Sequence, residues 1–425
     1  MEPYKFRIAD QLLQYRLEEV GAVLVEGTKW CGKTTTCEQA AKSVLYLADP
    51  EMKAQYIDLA NTQVKALLTG DTPHLIDEWQ LAPQLWDAIR FEVDHRRSEG
   101  QFILTGSSVP PSTDKISHTG TGRFAWLKMR PMSLYESGDS TGEVSLEQLF
   151  DNANIEGRNT LNLEKMAYLV CRGGWPASLG KSERVALRTP YNYYDAVVQS
   201  DISRVDNVER NPLWADTLMR SYARLQGSQA SSKVILDDML ASVSQETLST
   251  QTVENYLTAL RKMFVVEDLP AWCPNLRSKT AIRTSPTRYF VDPAIAVAAL
   301  RVSPKDLMAD LRTFGFLFET LCIRDLRVYA EAIDGQVFHY RDKTELECDA
   351  VIHLRNGKYG LVEIKLGGDE AIAAAVKTLN SLENKINTDQ MMKPAFKAVL
   401  TAVGQFAYRR SDGIYIIPVA CLKVL

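Results

Sequence analysis

Short apolar runs that end in polar or small residues recur in the first third of the chain. They cover Val23–Glu26, His74–Glu78 and Gln101–Ser108, and a helix-compatible stretch runs from Thr35 to about Ser43. Short apolar runs of this kind are typical of strands buried on both faces. Buried strands alternating with helices predict an open α/β sheet whose carboxyl-terminal strand ends line one crevice.

After the first third, the pattern of apolar residues changes from strands and helices to mainly helices, and then to a mixture of helices and strands near the C-terminus. The segment from Leu134 to about Arg210 is mostly helical in pattern, and apolar positions at helical spacing predict a helix over Val253–Met263, followed by wing-like strands at 264–266 and 288–291. A helix over Phe314–Arg327 and a hairpin turning at Asn356-Gly357 are predicted further on. A second α/β region is therefore expected at the C-terminus.

Composition narrows the class of protein. The 425 residues are 45% hydrophobic and 24% charged, with 49 basic against 53 acidic residues and a net charge of −4. This balance is typical of a soluble multidomain protein and gives no overall positive field for nucleic acid. The N-terminus lacks the apolar core of a secretion signal, no apolar run approaches the ~20 residues of a membrane span, and the seven cysteines form no CxxC pair. We expect a cytoplasmic location and no membrane contact.

The segment after the first predicted strand has the pattern G-x-x-x-x-G-K-[ST]. Its glycines allow backbone N–H groups to face phosphate oxygens, and the following helix directs its N-terminus at the same anion. Lys33 is expected to reach the β- and γ-phosphates, and the Thr34 hydroxyl to complete the shell of Mg²⁺. The predicted ATP-binding residues are Gly27, Thr28, Lys29, Trp30, Cys31, Gly32, Lys33, Thr34 and Thr35.

Polar residues at the ends of the next predicted strands are candidates for binding Mg²⁺ and for activating the attacking water. Asp77 is expected to hold Mg²⁺, and Glu78 to orient or deprotonate the attacking water. Thr105 or Ser107 is expected to contact the γ-phosphate or the water, with Ser107 favoured. Arg123, on a glycine-rich stretch, is the candidate cation for the transferring phosphoryl group, on its own chain or on a neighbouring one. The alternative is a solvated loop arginine.

A cationic segment follows the helix predicted at Val253–Met263. Arg277, Lys279, Arg283 and Arg288 have no acid among them and are candidate phosphate contacts for DNA or RNA. The surrounding pattern suggests a winged helix, a unit that binds DNA or serves as an ATPase lid or protein contact.

The C-terminal region contains a second candidate site. Strand alternation puts Glu347 and Asp349 on one face of a strand, and Glu363 and Lys365 on one face of its partner. Glu319 lies on the preceding helix. Such acids can hold Mg²⁺ beside a lysine that activates water. The arrangement resembles the PD-(D/E)xK nuclease core. The alternatives are a retained fold with a degenerate site, or a simple cross-strand ion pair.

Nearly the whole chain resembles prokaryotic AAA-type P-loop ATPases that carry a C-terminal domain of unknown function. The stretches that carry the resemblance are Gly27–Thr35, Leu75–Gln80, Ile103–Ser108, Gly122–Arg123, Pro131–Glu136, Gly173–Pro176, Asp201–Ile202, Thr252–Leu257, Tyr289–Pro293, Phe318–Glu319, Cys348–Asp349 and Glu363–Lys365. The resemblance implies ATP binding and hydrolysis. Thr28–Cys31 departs from it, since many relatives have proline, arginine and smaller residues there.

These observations predict four regions and one leading function. The regions are a P-loop ATPase domain at 1–140, a helical linker at 141–211, a winged-helix-like domain at 212–300 and a nuclease-like α/β domain at 301–425. The leading hypothesis is a Mg²⁺-dependent ATPase whose nucleotide state controls the C-terminal half. The alternatives are a nucleic-acid-processing ATPase with nuclease activity, and a non-hydrolysing module that binds DNA or protein. An oligomer is compatible with each.

Overall fold

The computed structural model describes residues 4–108, 120–242, 248–274, 285–386 and 391–425. The chain forms two compact units. One comprises Met1–Pro131, Ala196–Pro212 and Asn255–Val265, and the other comprises Met132–Asp195, Leu213–Glu254 and Val266–Leu425. The domain limits expected at residues 140, 211 and 300 stay a prediction.

The α-helices and strands among the described residues up to 131 are α1 (Ile8–Glu19), β1 (Ala22–Glu26), α2 (Lys33–Ala40), β2 (Ser43–Tyr46), α3 (Lys53–Thr62), β3 (His74–Asp77), α4 (Leu85–Arg96), β4 (Phe102–Gly106) and β5 (Phe124–Lys128). The five strands form a parallel sheet in the order β2-β3-β4-β1-β5. The α/β sheet predicted from the alternating pattern is therefore present, and β4 lies between β3 and β1.

This sheet is covered by apolar side chains on both faces. In β1, Val23 and Val25 join a cluster with Leu13 of α1 and Cys37 of α2. The intervening Leu24 joins a cluster that includes Ile89 of α4 on the opposite face. Alternating side chains on a strand point to opposite faces, so a run of consecutive apolar residues satisfies both layers. The outer strand β2 instead alternates between exposed and partly buried residues.

The rest of the chain is mainly helical up to residue 332 and then mixed. No helix in the described ranges is both long and apolar enough to cross a membrane. The elements are α5 (Leu134–Ser137), β6 (Val144–Ser145), α6 (Leu146–Leu149), β7 (Gly157–Arg158), α7 (Leu163–Arg172), α8 (Glu183–Ala186), α9 (Arg188–Ala196), α10 (Ile202–Arg204), α11 (Pro212–Arg224), α12 (Ser232–Ser242), α13 (Thr250–Lys262), α14 (Pro293–Leu300), α15 (Pro304–Ala309), α16 (Leu311–Ala332), β8 (Gly335–Arg341), β9 (Glu347–Leu354), β10 (Tyr359–Lys365), α17 (Asp369–Lys385), β11 (Phe396–Thr401), β12 (Phe406–Arg409), β13 (Tyr415–Pro418) and β14 (Leu422–Lys423).

The second unit contains a seven-stranded mixed sheet in the order β7-β12-β13-β11-β10-β9-β8. The strands β8, β9 and β10 form an antiparallel meander, and β11 returns parallel to β10 after α17. The predicted turn at Asn356-Gly357 connects β9 to β10, with Gly357 in the left-handed region at φ 87°. Leu379 of α17 packs on this sheet against residues such as Val351 and Val399.

The predicted wing strands are not formed as continuous strands. Val266 pairs with Phe290, and Leu269 with Thr287, in isolated antiparallel bridges. Phe264, where the first wing strand was expected to begin, has φ 56°. A left-handed residue interrupts the extended backbone that a ladder requires. The winged helix itself stays a prediction.

A buried charge network organises the second unit. The Arg324 guanidinium lies 2.8 Å from Asp292 Oδ2 and 2.7 Å from Asp325 Oδ1, and the side chains are almost inaccessible. Asp292 also accepts hydrogen bonds from the backbone N–H groups of Gly174 and Ala294. Because each carboxylate oxygen has a donor, the charges can be kept away from water.

Removing one member of this network should be costly. We expect Asp292→Ala to lower the free energy of unfolding by about 3–5 kcal/mol, because it leaves the Arg324 charge buried with fewer partners. The matched control is Asp151→Ala, since Asp151 is 70% exposed and pairs with Lys358 at the surface. That variant should lose less than about 1 kcal/mol. Urea unfolding of both variants measures the difference, and equal losses would contradict this account.

Candidate functional site

The phosphate loop follows β1 directly and is shaped by close backbone packing. A Cβ atom added to Gly27 would lie 2.0 Å from the Met129 carbonyl oxygen, so only glycine fits there. Gly32 has φ 101° and precedes the first residue of α2. The exposed Trp30, between these glycines, has φ 64°, which is a strained conformation for a bulky residue. The loop therefore holds a fixed, unusual backbone path ahead of a helix N-terminus.

The Lys33 side chain is turned into this loop. Its Nζ donates hydrogen bonds to the carbonyl oxygens of Gly27 and Thr28, each at 2.9 Å, and the residue is 6% exposed. A helix N-terminus and an ammonium group facing the same loop are both suited to an anion.

The Asp77 carboxylate joins three segments of the sheet edge. Thr34 Oγ1 of α2 donates to Asp77 Oδ1 at 2.7 Å, and Thr105 Oγ1 of β4 donates to the same atom at 2.6 Å. Because β4 runs parallel between β1 and β3, its end lies beside both the loop and Asp77. The structure thus brings the two predicted Mg²⁺ residues, Thr34 and Asp77, into contact. The contact of Thr105 with Asp77 was not predicted.

Glu78 is held beside this group by side chains from the same sheet edge. It has φ 57°, and its backbone N–H donates to Thr105 Oγ1 at 3.3 Å. Ser107 Oγ lies 3.2 and 3.1 Å from the two Glu78 carboxylate oxygens and donates to them. The Gln80 amide also donates to Glu78. Gln80 had no role in the sequence prediction, although its place two residues after Glu78 was visible.

Arg123 has a partner within its own unit. Its Nε donates to Asp94 Oδ1 at 2.8 Å, and its NH1 donates to the Thr121 carbonyl at 3.2 Å. The hydrogen bond from Arg123 lowers the pKa of Asp94. The side chain of Arg123 is 44% exposed, so this pair is easily exchanged for another partner. The role of Arg123 at a phosphoryl group stays a prediction.

Two side-chain contacts of the phosphate loop involve residues from distant parts of the sequence. The buried Arg7 donates from NH1 to the Cys31 carbonyl at 2.8 Å and from NH2 to the Arg130 carbonyl at 2.9 Å. Lys29 Nζ lies 2.7 Å from Asp201 Oδ1. The sequence motif does not contain these contacts, because they depend on how remote segments fold back.

The C-terminal candidates are also brought together. Lys365 Nζ lies 3.0 Å from Asp349 Oδ2 and 2.8 Å from Glu363 Oε2, as expected for neighbouring strands β9 and β10. The backbone N–H of Ile364 donates to Asp349 at 2.7 Å. Glu319, on α16, accepts a hydrogen bond from the buried Tyr289 hydroxyl.

Burial has the largest effect on the pKa values of Glu319 and Glu363. It raises the pKa of Glu319 to about 8, with the nearby Asp349 charge adding to the effect. It also raises the pKa of Glu363 to about 8, although Lys365 acts against this. Burial opposes the charged form of Lys365, but Asp349 and Glu363 outweigh it and raise the pKa of the amine. Lys365 is therefore shared between Asp349 and Glu363, and two acids of the group, Glu363 and the nearby Glu319, have raised pKa values and bind protons readily.

The geometry is that of an ion-pair cluster. Within the ranges that the structure describes, no group of three His, Cys, Asp or Glu side chains is arranged to hold a metal ion. The magnesium role predicted for Glu319, Asp349 and Glu363 thus has no preformed site to support it here.

Of the predicted nucleic-acid contacts, only Arg288 lies within the described residues. It is 8% exposed, its NH1 lies 2.7 Å from Asp268 Oδ2, and its Nε donates to the Ala230 carbonyl at 3.1 Å. This arginine is buried and paired, unlike a surface cation that contacts phosphate. Arg277, Lys279 and Arg283 lie outside the described residues.

Three family models match successive parts of the chain. Residues 20–138 match the AAA domain. Residues 163–306 and 314–422 match two domains of unknown function, DUF8612 and DUF4143. The AAA match covers the parallel sheet, the phosphate loop and the Asp77 group, and it supports an AAA-type P-loop domain in this part of the chain.

Comparison with individual proteins shows how much of the chain is similar to each of them. Uncharacterized proteins of Mycobacterium bovis and Mycobacterium tuberculosis are each 22% identical over 386 residues, which is 88% of this chain and 76% of the relative. Among solved structures, the Aeropyrum pernix ORC1 protein in complex with DNA has 14% identity and a TM-score of 0.27, over 73% of this chain and 94% of that one. The Aeropyrum pernix ORC2 protein has 13% identity and a TM-score of 0.32, over 73% and 97%. Likeness at these TM-scores carries no argument about function.

The raised pKa of Glu319 predicts a pH-dependent stability. A carboxyl whose folded pKa is about 8, against an ordinary 4.5, favours the folded state at low pH and loses this contribution as the pH rises towards 8. We expect the wild type to lose about 1–3 kcal/mol more than Glu319→Gln between about pH 5 and about pH 8. Urea unfolding across this range measures it.

The matched control is Glu370→Gln, because Glu370 is exposed on α17. Its stability profile should follow that of the wild type. A wild type that loses no more stability than Glu319→Gln between about pH 5 and about pH 8 would contradict the raised pKa of Glu319.

Proposed function

We propose that residues 20–138 bind ATP with Mg²⁺ and hydrolyse it. The observation that carries this proposal is the hydrogen bonding of Asp77 to Thr34 and Thr105, because it joins the phosphate loop to the end of β3 at one point. The match of this segment to the AAA domain supports the same reading. A phosphate loop, a hydroxyl and a strand-end acid in contact are what a nucleoside triphosphate with a divalent cation requires.

The loop would bind the phosphates through its backbone and Lys33. Glycine at positions 27 and 32 lets successive N–H groups face an anion, and α2 begins at Lys33. Lys33 Nζ already lies within the loop at the carbonyls of Gly27 and Thr28, so a small rotation of its side chain exchanges these partners for phosphate oxygens.

The donor set at Asp77 fits Mg²⁺. This ion takes oxygen ligands and is usually held by one or two carboxylates or hydroxyls together with substrate phosphates and water. Thr34 and Asp77 would supply the protein oxygens, and Thr105 would orient the carboxylate from β4. When bound, the ion would neutralise charge on the β- and γ-phosphate oxygens.

Glu78 would orient the attacking water and take its proton. Its carboxylate is positioned by Ser107 and Gln80, and its backbone by Thr105, so it is held next to Asp77 without being part of the Asp77 hydrogen bonds. A fixed carboxylate next to the phosphate site is a suitable general base. Ser107 is in this account a positioning residue for Glu78, and Arg123 is the candidate cation for the transferring phosphoryl group.

A second candidate function is cleavage of DNA or RNA by the C-terminal region. Two observations favour it: Asp349, Glu363 and Lys365 are in contact, and the elements follow the order helix, three-stranded meander, helix and parallel strand. This order is compatible with the PD-(D/E)xK core that the sequence resembles. The proposal requires Mg²⁺ to displace Lys365 from the acids, since they form an ion-pair cluster in the structure.

The nucleotide state would act on the C-terminal half of the chain. The partner of that half is DNA, RNA or another protein, and an oligomer is required if Arg123 acts on a neighbouring copy. Phosphate release measured with and without added DNA or RNA separates these partners. Strong stimulation would favour nucleic-acid processing, and unchanged rates would favour a protein partner.

Two substitutions separate ATP binding from hydrolysis. We expect Lys33→Ala to weaken ATP binding by about tenfold or more, because a charge-assisted contact to the phosphates is lost. We expect Glu78→Gln to retain binding and to slow phosphate release by about 10²–10⁴-fold, the usual contribution of a general base. The control is Lys42→Ala, since Lys42 is exposed between α2 and β2.

Phosphate release and nucleotide titration on the four proteins give the answer. Release from Lys33→Ala or Glu78→Gln at the wild-type rate would contradict the assignment of this site. Binding without release, for wild type and Glu78→Gln alike, would favour the non-hydrolysing module instead. Metal-dependent cleavage that is lost in Asp349→Ala and kept in Lys33→Ala would support the second candidate.

A further inference from the structure

The phosphate loop carries two lysines in different surroundings. Lys33 is buried and bonded to the loop itself. Lys29 has a side chain that is 46% exposed, and its Nζ lies 2.7 Å from Asp201 Oδ1, while the Asp201 side chain is only 13% exposed. The second lysine of the loop is therefore bound to an acid 172 positions away in sequence.

Asp201 ends an irregular helical turn. Residues Val197–Asp201 form a single π-helical turn immediately before α10. Single π turns inside helices are rare and are often found at functional positions. Asp201-Ile202 is also one of the stretches in which the sequence resembles AAA-type ATPases, and the ATPase mechanism above leaves it without a role.

The segment after Asp201 is held by hydrogen bonds from Arg210, which lies nine residues further along the chain. Arg210 NH1 donates to the Ile202 carbonyl at 2.6 Å, and the guanidinium binds both Asp206 carboxylate oxygens at 2.6 and 2.8 Å. The Arg210 backbone N–H donates to Ser203 Oγ at 2.9 Å. These contacts fix the residues that follow Asp201, and Asp201 itself contacts Lys29 of the loop.

A bound triphosphate would compete with Asp201 for Lys29. A triphosphate carries several negative charges, and Lys29 lies in the loop whose backbone N–H groups would face them. A partly exposed single ion pair contributes little, so a nearby polyanion can replace it. If Lys29 turned to the phosphate, the turn at Val197–Asp201 would lose this ion pair with the loop.

We propose that Asp201 is the positioning residue through which the segment 197–204 senses nucleotide: it holds Lys29 when the loop is empty and releases it to the phosphates when ATP binds. This inference rests on the proposed ATP binding. It assigns Lys29 as a phosphate contact and the π turn as the element whose position depends on the nucleotide.

The proposal and a purely structural role of Asp201 predict opposite changes in ATP affinity for Asp201→Asn. If Asp201 competes with phosphate, Asp201→Asn removes a competitor and tightens ATP binding by about two- to fivefold, the range of one exposed ion pair. Lys29→Met should weaken ATP binding. In the Lys29→Met background, Asp201→Asn should change nothing, because the two side chains act through each other.

The experiment combines titration calorimetry with Mg²⁺-ATP and hydrogen exchange of the full-length chain. Asp195→Asn is the matched control, because Asp195 is an exposed aspartate six positions before Asp201. We expect ATP to increase exchange in residues 197–204 of the wild type and of Asp195→Asn. In Asp201→Asn exchange there should be high with or without ATP.

Each outcome decides the inference. Wild-type ATP affinity in Asp201→Asn, or tightening that persists in the Lys29→Met background, would overturn it and leave the proposed ATP binding intact. Weaker ATP binding in Asp201→Asn would assign the pair a structural role and also overturn it. If the wild type binds no ATP and matches Lys33→Ala, the proposed function fails, and this inference fails with it.

Discussion

The hydrogen bonds of one carboxylate, that of Asp77, hold the candidate nucleotide site together. A buried carboxylate needs donors, and those of Asp77 include Thr34 at the start of α2 and Thr105 at the end of β4. Thr34 thereby joins the end of the phosphate loop directly to β3, and Thr105 joins β4, the strand between β1 and β3, to the same carboxylate. Glu78 follows in sequence and takes its own donors from Ser107 and Gln80. The chemistry proposed for the site depends on this arrangement.

The acids of the C-terminal cluster are stabilised differently, by an ammonium group and not by hydroxyl groups. The Lys365 ammonium contacts Asp349 and Glu363 directly, whereas the Asp77 carboxylate accepts hydrogen bonds from the neutral hydroxyl groups of Thr34 and Thr105. A cluster that already contains an ammonium group needs no metal ion to be stable. This difference is the physical reason that ATP binding is the leading proposal and nucleic-acid cleavage the second.

The sequence predicted the parts of the structure that depend on neighbouring residues. The loop at Gly27–Thr35, the strand ending at Asp77 and the turn at Asn356-Gly357 follow from local patterns. The bond from Thr105 to Asp77 depends on the order of strands, and the Lys29–Asp201 pair joins residues 172 positions apart. The continuous wing strands were wrongly predicted, because apolar runs do not reveal that a residue such as Phe264 adopts a left-handed conformation. One sequence contains no direct record of such long-range constraints.

The central claim is that the loop after β1 binds a nucleoside triphosphate with magnesium. Isothermal titration of the full-length protein with Mg²⁺-ATP, and again with ATP and excess chelator, tests it most directly. This account predicts saturable heat with one site per chain, and a clear loss of affinity when the metal is removed or Thr34 is replaced by valine. No heat with wild type at millimolar Mg²⁺-ATP or Mg²⁺-GTP would contradict it.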